Sequence, residues 1–255
     1  MKKLSIIISF LLISINFGYQ TPTVVDVEYL QPYTAQKTQT LKHKYYSVLY
    51  SQQYRQAFCS YYHLTKDMSQ CTLARVDHFV PDSLIVGVHV KTTDYTNNGY
   101  DRGHLACQAD MCFNKTAMEE CFFLSNISPQ VSGFNKGIWK KLETQCRTWS
   151  DTKGDLFIFA GGILKPGLKT ISKDSVAVPE EFYKIIVHYD ANLNIYETVA
   201  FLIPNQDINV YNLNDYIVSI DAIELKTNID FLKNIPDPLE NSLEQKVENG
   251  IWFLH

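Results

Sequence analysis

The chain has 255 residues, 45% of them hydrophobic and 20% charged, with 11 glycines and 9 prolines, a profile that excludes a wholly disordered, collagen-like or low-complexity protein. Lysine and arginine total 23 against 27 aspartates and glutamates, a net charge of −4, so no global basic field advertises a nucleic-acid partner. The acid excess is local, since residues 205–248 hold nine carboxylates and three lysines, and a basic patch elsewhere stays open.

Lys2 and Lys3 precede an apolar run over residues 4–17 and then Gly18, the order of a secretory signal whose run is too short to span a bilayer. Residues 1–20 are expected to be a signal peptide that exports the chain. No cysteine follows the run and no later stretch has membrane length, so the mature chain is expected to carry no membrane anchor. Residues 21–44 read as a polar, loosely ordered segment. Aromatic and β-branched residues bounded by turn formers predict strands at 45–50, 57–64, 83–90, 155–159, 182–189 and 196–203. Ile138, Trp139, Leu142 and Cys146 recur at helical spacing and predict a helix over 135–147. A second helix starts near Ser219, with Asp221 and Glu224 in its first turns. These elements imply an α+β fold with a mostly antiparallel central sheet and flanking helices. No Pro/Gly/Ser-rich break divides the chain, and one domain over 45–235, followed by an acidic C-terminal extension over 236–255, is the expected organisation. Six cysteines (Cys59, Cys71, Cys107, Cys112, Cys121 and Cys146) in an exported chain are most simply three disulfides. The competing arrangement, His104 with Cys107, Cys112 and Cys121 around zinc, matches no standard spacing.

The stretch that carries chemistry runs from Tyr100 to Arg147. It holds Asp101-Arg102-Gly103-His104, then Ser125-Asn126-Ile127-Ser128-Pro129-Gln130, then Asn135, Trp139, Leu142 and Glu143 on the predicted helix. Three motifs in this order closely resemble the DNA/RNA non-specific endonuclease family, whose ββα-metal site carries an Asp-Arg-Gly-His motif. The resemblance extends to Arg75 with Phe79 and Asp82 upstream, to Val178-Pro179 and Lys184 downstream, and to Ser219 and Phe231 near the end, covering residues 45–231. It implies the ββα-metal nuclease fold and cleavage of phosphodiester bonds in DNA and RNA, with little sequence specificity and 5′-phosphate ends.

The residue types suit that chemistry. His104 is the candidate general base, because a neutral imidazole near physiological pH takes a proton from water. Asn135 is the candidate metal ligand. Mg²⁺ keeps several of its waters and takes one or two protein oxygens, and a neutral amide oxygen leaves its charge for the phosphate; Mn²⁺ is a second candidate. Asn135 also suits a plain helix N-cap. Glu143, eight residues on, shares a broad helix face with Asn135, and the family's matching glutamate accepts hydrogen bonds from metal-bound waters. Arg102 and Arg75 supply guanidinium groups for phosphate oxygens, although Arg102 could instead pair with a carboxylate. Asp101 is read as fixing its loop through backbone bonds. Asn126 matches a family position near the catalytic histidine, and it also heads an N-glycosylation sequon. Lys136, Lys140, Lys141 and Arg147 make the helix locally basic, a place for a phosphate backbone to dock.

The leading expectation is therefore an exported, Mg²⁺-dependent, sugar-non-specific endonuclease. A catalytically silent nucleic-acid-binding or surface-interaction protein, and a phosphodiesterase for small esters, are the alternatives. The crowded cysteines are expected to stiffen or shield the cleft, and the acidic C-terminal segment to repel nucleic acid or cover the site.

Overall fold

The computed structural model describes residues 28–173, 176–190, 193, 195–209, 211–247 and 252. The expected signal peptide falls outside them. In chain order the strands are β1 (Gln39–Lys42), β2 (Ser47–Ser51), β3 (Gln56–Leu64), β4 (Asp101–His104), β5 (Ile127–Gln130), β6 (Leu156–Gly162), β7 (Thr170–Ile171), β8 (Val176–Ala177), β9 (Glu181–Asp190), β10 (Ile195–Pro204) and β11 (Ile217–Val218). The α-helical segments are α1 (Gln108–Met111), α2 (Lys115–Glu120), α3 (Ser132–Phe134), α4 (Lys140–Lys153), α5 (Ile220–Thr227) and α6 (Asp237–Glu244).

Seven strands form one sheet in the order β1-β2-β3-β6-β9-β10-β11, with every neighbouring pair antiparallel. The fold is α+β, as expected. Successive side chains in a strand point to opposite faces, and both faces here are covered. Leu156, Ile158 and Ala160 of β6 join Phe182 and Ile186 of β9 and Phe201 of β10 under α4, where Trp139, Leu142, Cys146 and Trp149 pack. Phe157 and Phe159, with Tyr183, Ile185 and Val187, line the other face under Ile220 and Ile223 of α5 and Leu243 of α6. Two-sided burial is why these strands read as nearly continuous apolar runs. Ser219 caps α5 by accepting from the Ala222 amide at 3.1 Å.

Three expectations change. Residues 83–90 form turns and irregular chain instead of a strand. Side-chain amides take the place of a neighbouring strand there: Gln39 Oε1 accepts from the Val86 amide at 2.7 Å, and Gln52 Nε2 donates to the Val88 carbonyl at 3.0 Å. The N-terminal segment is more ordered than its polarity suggests, because Gln39–Lys42 is an edge strand, Tyr33 bridges Asp230 and Leu30 is buried. Among the described residues one disulfide forms, Cys71–Cys112, while Cys59, Cys107, Cys121 and Cys146 are buried free thiols. Cys59 lies in the core on one face of the sheet and Cys121 and Cys146 in the core on the other, so the sheet itself keeps Cys59 from pairing with either.

The described C-terminal residues divide between the two faces of the sheet, with Trp252 on the α4 side. Leu243 and α6 pack on the opposite face, with the Thr198 hydroxyl donating to the Leu243 carbonyl at 3.1 Å. Trp252 is fully buried against Trp149. None of the described helices is long and apolar enough to cross a membrane.

Candidate active site

The Asp-Arg-Gly-His motif is β4, and it pairs antiparallel with β5, the strand of the second motif, so that Gly103 faces Ser128 and His104 faces Ile127. A Cβ at Gly103 would sit 1.9 Å from Gln130 Oε1, so the glycine leaves the space that the Gln130 side chain fills over β4. The third motif follows β5 directly, but its helix does not begin at Asn135 as a cap. Helical backbone begins at Ser132, and residues Asn135–Trp139 form a wider turn before α4. Gly137 departs from helical geometry there, and its face is occupied by the Tyr211 ring, which a Cβ would meet at 2.6 Å. The projection of Glu143 from Asn135 is therefore not that of a regular helix, yet both residues line one cleft.

That cleft encloses about 700 Å³ and is lined by residues drawn from Arg75 to Arg147, including Arg75, Arg102, His104, Asn135, Lys140 and Glu143. Five of the six residues expected at the site thus come together. Asn126 does not join them. It is fully buried, and its side chain makes four hydrogen bonds: Oδ1 accepts from the Ala106 amide at 2.8 Å and the Ser60 hydroxyl at 3.0 Å, and Nδ2 donates to the carbonyls of Ala106 and Cys121 at 3.0 Å each. With its own carbonyl accepting from the Leu105 amide, Asn126 anchors the backbone that leaves His104 rather than lining the cleft. The same burial seals its sequon.

His104 is 8% exposed. Its ring packs against two phenylalanines, Phe79 at 5.6 Å and Phe122 at 4.8 Å between centroids. Each of these rings carries an arginine, Arg102 over Phe79 at 5.1 Å and Arg75 over Phe122 at 5.6 Å. Phe79 and Phe122 also meet each other edge-on at 4.9 Å, so the three rings form a triangle, with one guanidinium over each phenylalanine. Burial, reinforced by the Arg75 charge and partly opposed by Asp77, pushes the His104 imidazole down to about 3. The ring is neutral at physiological pH, and Nε2 has no hydrogen-bond partner among the described residues. A neutral ring with its proton on Nδ1 presents Nε2 as a free proton acceptor. Phe122 escaped the sequence reading because Phe122-Phe123 looks like ordinary core.

Arg102 Nη2 donates to the Thr92 carbonyl at 3.3 Å and pairs with no carboxylate among the described residues. Arg75 Nε donates to Asp77 at 2.6 Å. The chain entering Arg75 is tethered by the Cys71–Cys112 disulfide and by the Thr72 and Leu73 amides, which donate to the Cys112 carbonyl. The disulfide therefore stiffens a wall of the cleft, as expected, from behind it.

Asp101 holds side chains instead of its own loop. Asn135 Nδ2 donates to Asp101 Oδ2 at 3.0 Å, and Lys136 Nζ lies 3.1 Å from the same oxygen. Burial alone would raise the Asp101 carboxyl, but the hydrogen bonds from Asn135 and Lys136 and the lysine charge hold it below its ordinary value. A carboxylate only accepts, so the Asn135 amide must turn its nitrogen to Asp101, which leaves Oδ1 free to face the cleft. On the same wall, burial pushes the Glu143 carboxyl up to about 7 against the pull of Lys184. Lys184 is itself buried, with Nζ 4.6 Å from the Trp139 ring, and Trp139 Nε1 donates to the His104 carbonyl at 3.4 Å. An oxygen donor set of amide and carboxylate, with fixed cations nearby, suits a hard divalent ion.

The basic helix face is smaller than expected. Arg147 is spent on Asp110 at 2.9 Å, a buried carboxylate that also accepts from the Tyr62 hydroxyl. Lys141 donates to the Tyr211 carbonyl. Lys140 remains at the cleft, and Lys136 stands there paired with Asp101.

Residues 27–238 match the family model described as DNA/RNA non-specific endonuclease. The chain is 35% identical over 175 residues to the mitochondrial nuclease of Saccharomyces cerevisiae, covering 62% of this chain and 53% of that protein. It is 33% identical over 211 residues to nuclease C1 of Cunninghamella echinulata var. echinulata, covering 76% of this chain and 83% of that protein. It spans about half the length of the S. cerevisiae protein and, at 55%, of nuclease 1, mitochondrial, of Schizosaccharomyces pombe. A solved structure of the EndoG/EndoGI complex superposes with a TM-score of 0.73 at 27% identity, covering 80% of this chain and 89% of that one. The β4–β5–helix unit is the ββα-metal arrangement.

A histidine with a folded pKa near 3 and an unfolded value near 6.5 binds more protons when unfolded between those limits, so its contribution to stability grows as pH rises through that window and is lost as pH falls through it. Denaturant unfolding at pH 4.5 and pH 7 is expected to show a smaller pH-dependent difference in His104→Gln than in the parent chain. Equal differences would contradict a buried neutral His104.

Proposed function

We propose that this chain, which belongs to the DNA/RNA non-specific endonuclease family, hydrolyses phosphodiester bonds of both DNA and RNA in the cleft that His104 and Asn135 share, with Mg²⁺ as the working ion. The observation that carries the reading is the neutral, unpartnered His104 Nε2 in one cleft with Arg75, Arg102 and the free Oδ1 of Asn135. Asn135 would hold the ion through Oδ1, with Glu143 on the same wall. When bound, the ion supplies positive charge to a phosphate oxygen and to the departing oxygen.

The chain's own groups do the rest. His104 Nε2 takes a proton from water as the water oxygen attacks phosphorus, and the bond to the 3′ oxygen breaks, leaving a 5′-phosphate. Arg75 and Arg102 each offer a planar fork for phosphate oxygens and add charge as it develops in the transition state. Their stacking on Phe122 and Phe79 fixes the forks before substrate arrives. Lys136 and Lys140 extend the positive surface along the helix, where a polymer backbone continues. Nothing in this set reads base edges, in keeping with little sequence preference.

We also infer that the chain is exported. The support is the Lys2-Lys3 and apolar order of the N-terminus together with the Cys71–Cys112 disulfide, which suits an oxidising compartment.

Supercoiled plasmid and RNA are both expected to be cut in Mg²⁺ and spared in EDTA, with His104→Ala folded but inactive; undiminished cleavage by that variant would overturn the assignment of the base. Glu143 loses its charge as pH falls through about 7, so the Mg²⁺ concentration for half-maximal cleavage should rise between pH 8 and pH 6, and Glu143→Gln should flatten that dependence. A parent enzyme with no such rise would remove Glu143 from the ion's surroundings. Protein recovered outside the producing cell should begin after about residue 20; recovery only inside the cell with Met1 retained would contradict export.

A further inference from the structure

Away from the cleft, on the sheet face that α5 and α6 cover, Asp221, Glu224 and Glu244 each place one carboxylate oxygen within 4.8 Å of the other two. Asp221 and Glu224 are three residues apart on α5, so they project from neighbouring positions on one helix surface, and Glu244 ends α6. Asp230 and Glu240 stand close enough to act on Glu244 through their charge. Among the described residues no lysine, arginine or histidine forms an ion pair with any of the three, and the neighbouring lysines are engaged elsewhere, Lys226 with Glu181 at 2.7 Å and Lys233 with Asp230 at 3.8 Å.

Crowded surface acids are common, but Glu244 is not a surface acid. It is 7% exposed, and its Oε1 has neither a hydrogen-bond donor among the described residues nor solvent. Glu224 Oε1 accepts from the Phe231 amide at 2.8 Å, whereas the Glu244 oxygen has no such relief. A buried carboxylate without a donor or counter-charge is costly. Glu224 lies within side-chain hydrogen-bond reach of Glu244, so the two carboxyls can share a proton; a divalent cation would take that proton's place and engage the exposed Asp221 as well.

We propose that Asp221, Glu224 and Glu244 form a second divalent-cation site, distinct from the catalytic cleft, that takes Ca²⁺ and ties α6 to α5. Calcium accepts an irregular, oxygen-only shell at about 2.3–2.6 Å; ligand oxygens on one such ion lie no more than about 5 Å apart, a span that these three already meet. Waters fill the remaining positions on the exposed Asp221 side. The site's role is structural: it closes the C-terminal helix onto the sheet and leaves the cleft unchanged.

The test uses the full mature chain, stripped with EDTA and then freed of it, in an Asn135→Ala background that removes the cleft's own ion ligand. Calcium chloride at roughly millimolar concentration, against sodium chloride of equal ionic strength, should raise the thermal midpoint by a few degrees, and equilibrium dialysis should count one Ca²⁺ per chain. Adding Glu244→Gln should abolish both, and Glu224→Gln serves if that variant fails to fold. In the Asn135 parent, Glu244→Gln should cut plasmid in Mg²⁺ at the unsubstituted rate. No midpoint rise with no bound calcium in Asn135→Ala, or an equal rise with and without Glu244, would overturn the site.

Discussion

One hydrogen bond decides what the cleft can hold. Asn135 donates to Asp101, and because a carboxylate can only accept, that bond settles which end of the amide faces the cleft. It also joins the strand that carries His104 to the helical segment that leads to Glu143, so the base and the ion's ligands share one rigid frame. Lys136 adds its charge to Asp101 and helps keep it an acceptor despite partial burial. The wide turn at Asn135–Trp139, shaped by Gly137 against Tyr211, follows Asn135 and carries the chain into α4, where Glu143 lies.

The second constraint is electrostatic. A general base must be neutral, and His104, proposed for that role, is buried close to two arginines. Phe79 and Phe122 each touch the His104 ring and each carry one of the arginines, so the imidazole packs on aromatic carbon with the two guanidinium groups held nearby. Burial and the Arg75 charge act on the imidazole in the same direction, toward the neutral form. Arg75, one of the two arginines proposed to receive phosphate, thus also favours the neutral form of the proposed base. Asn126, four times hydrogen-bonded behind the cleft, fixes the backbone leaving His104, which explains its place in the motif without a contact to substrate.

Much of this was legible in the sequence because its causes are local. Strands buried on both faces produce apolar runs, and β3, β6, β9 and β10 fell close to their expected bounds. Ser219 caps its helix through a bond three residues away. His104, Asn135, Glu143, Arg75 and Arg102 meet because their motifs lie on adjoining elements. What stayed hidden depended on distant partners. Residues 83–90 had strand composition but found the amides of Gln39 and Gln52 instead of a strand. The cysteines were even in number, yet the sheet separates Cys59 from Cys121 and Cys146. Arg147 looked like a phosphate contact until Asp110 claimed it, and Phe122 gained its role only through the fold that sets it against His104.

The most direct test of the Asp101–Asn135 constraint is a Mg²⁺ titration of plasmid cleavage by Asp101→Ala beside the unsubstituted chain. Losing the group that orients a ligand typically weakens metal affinity by about 10- to 100-fold. The half-saturating Mg²⁺ concentration is therefore predicted to rise at least about tenfold, with cleavage at saturating Mg²⁺ recovering most of its rate. An unchanged half-saturation point in a folded Asp101→Ala protein would contradict the account, because the Asn135 oxygen would then face the ion without the bond that is held to aim it.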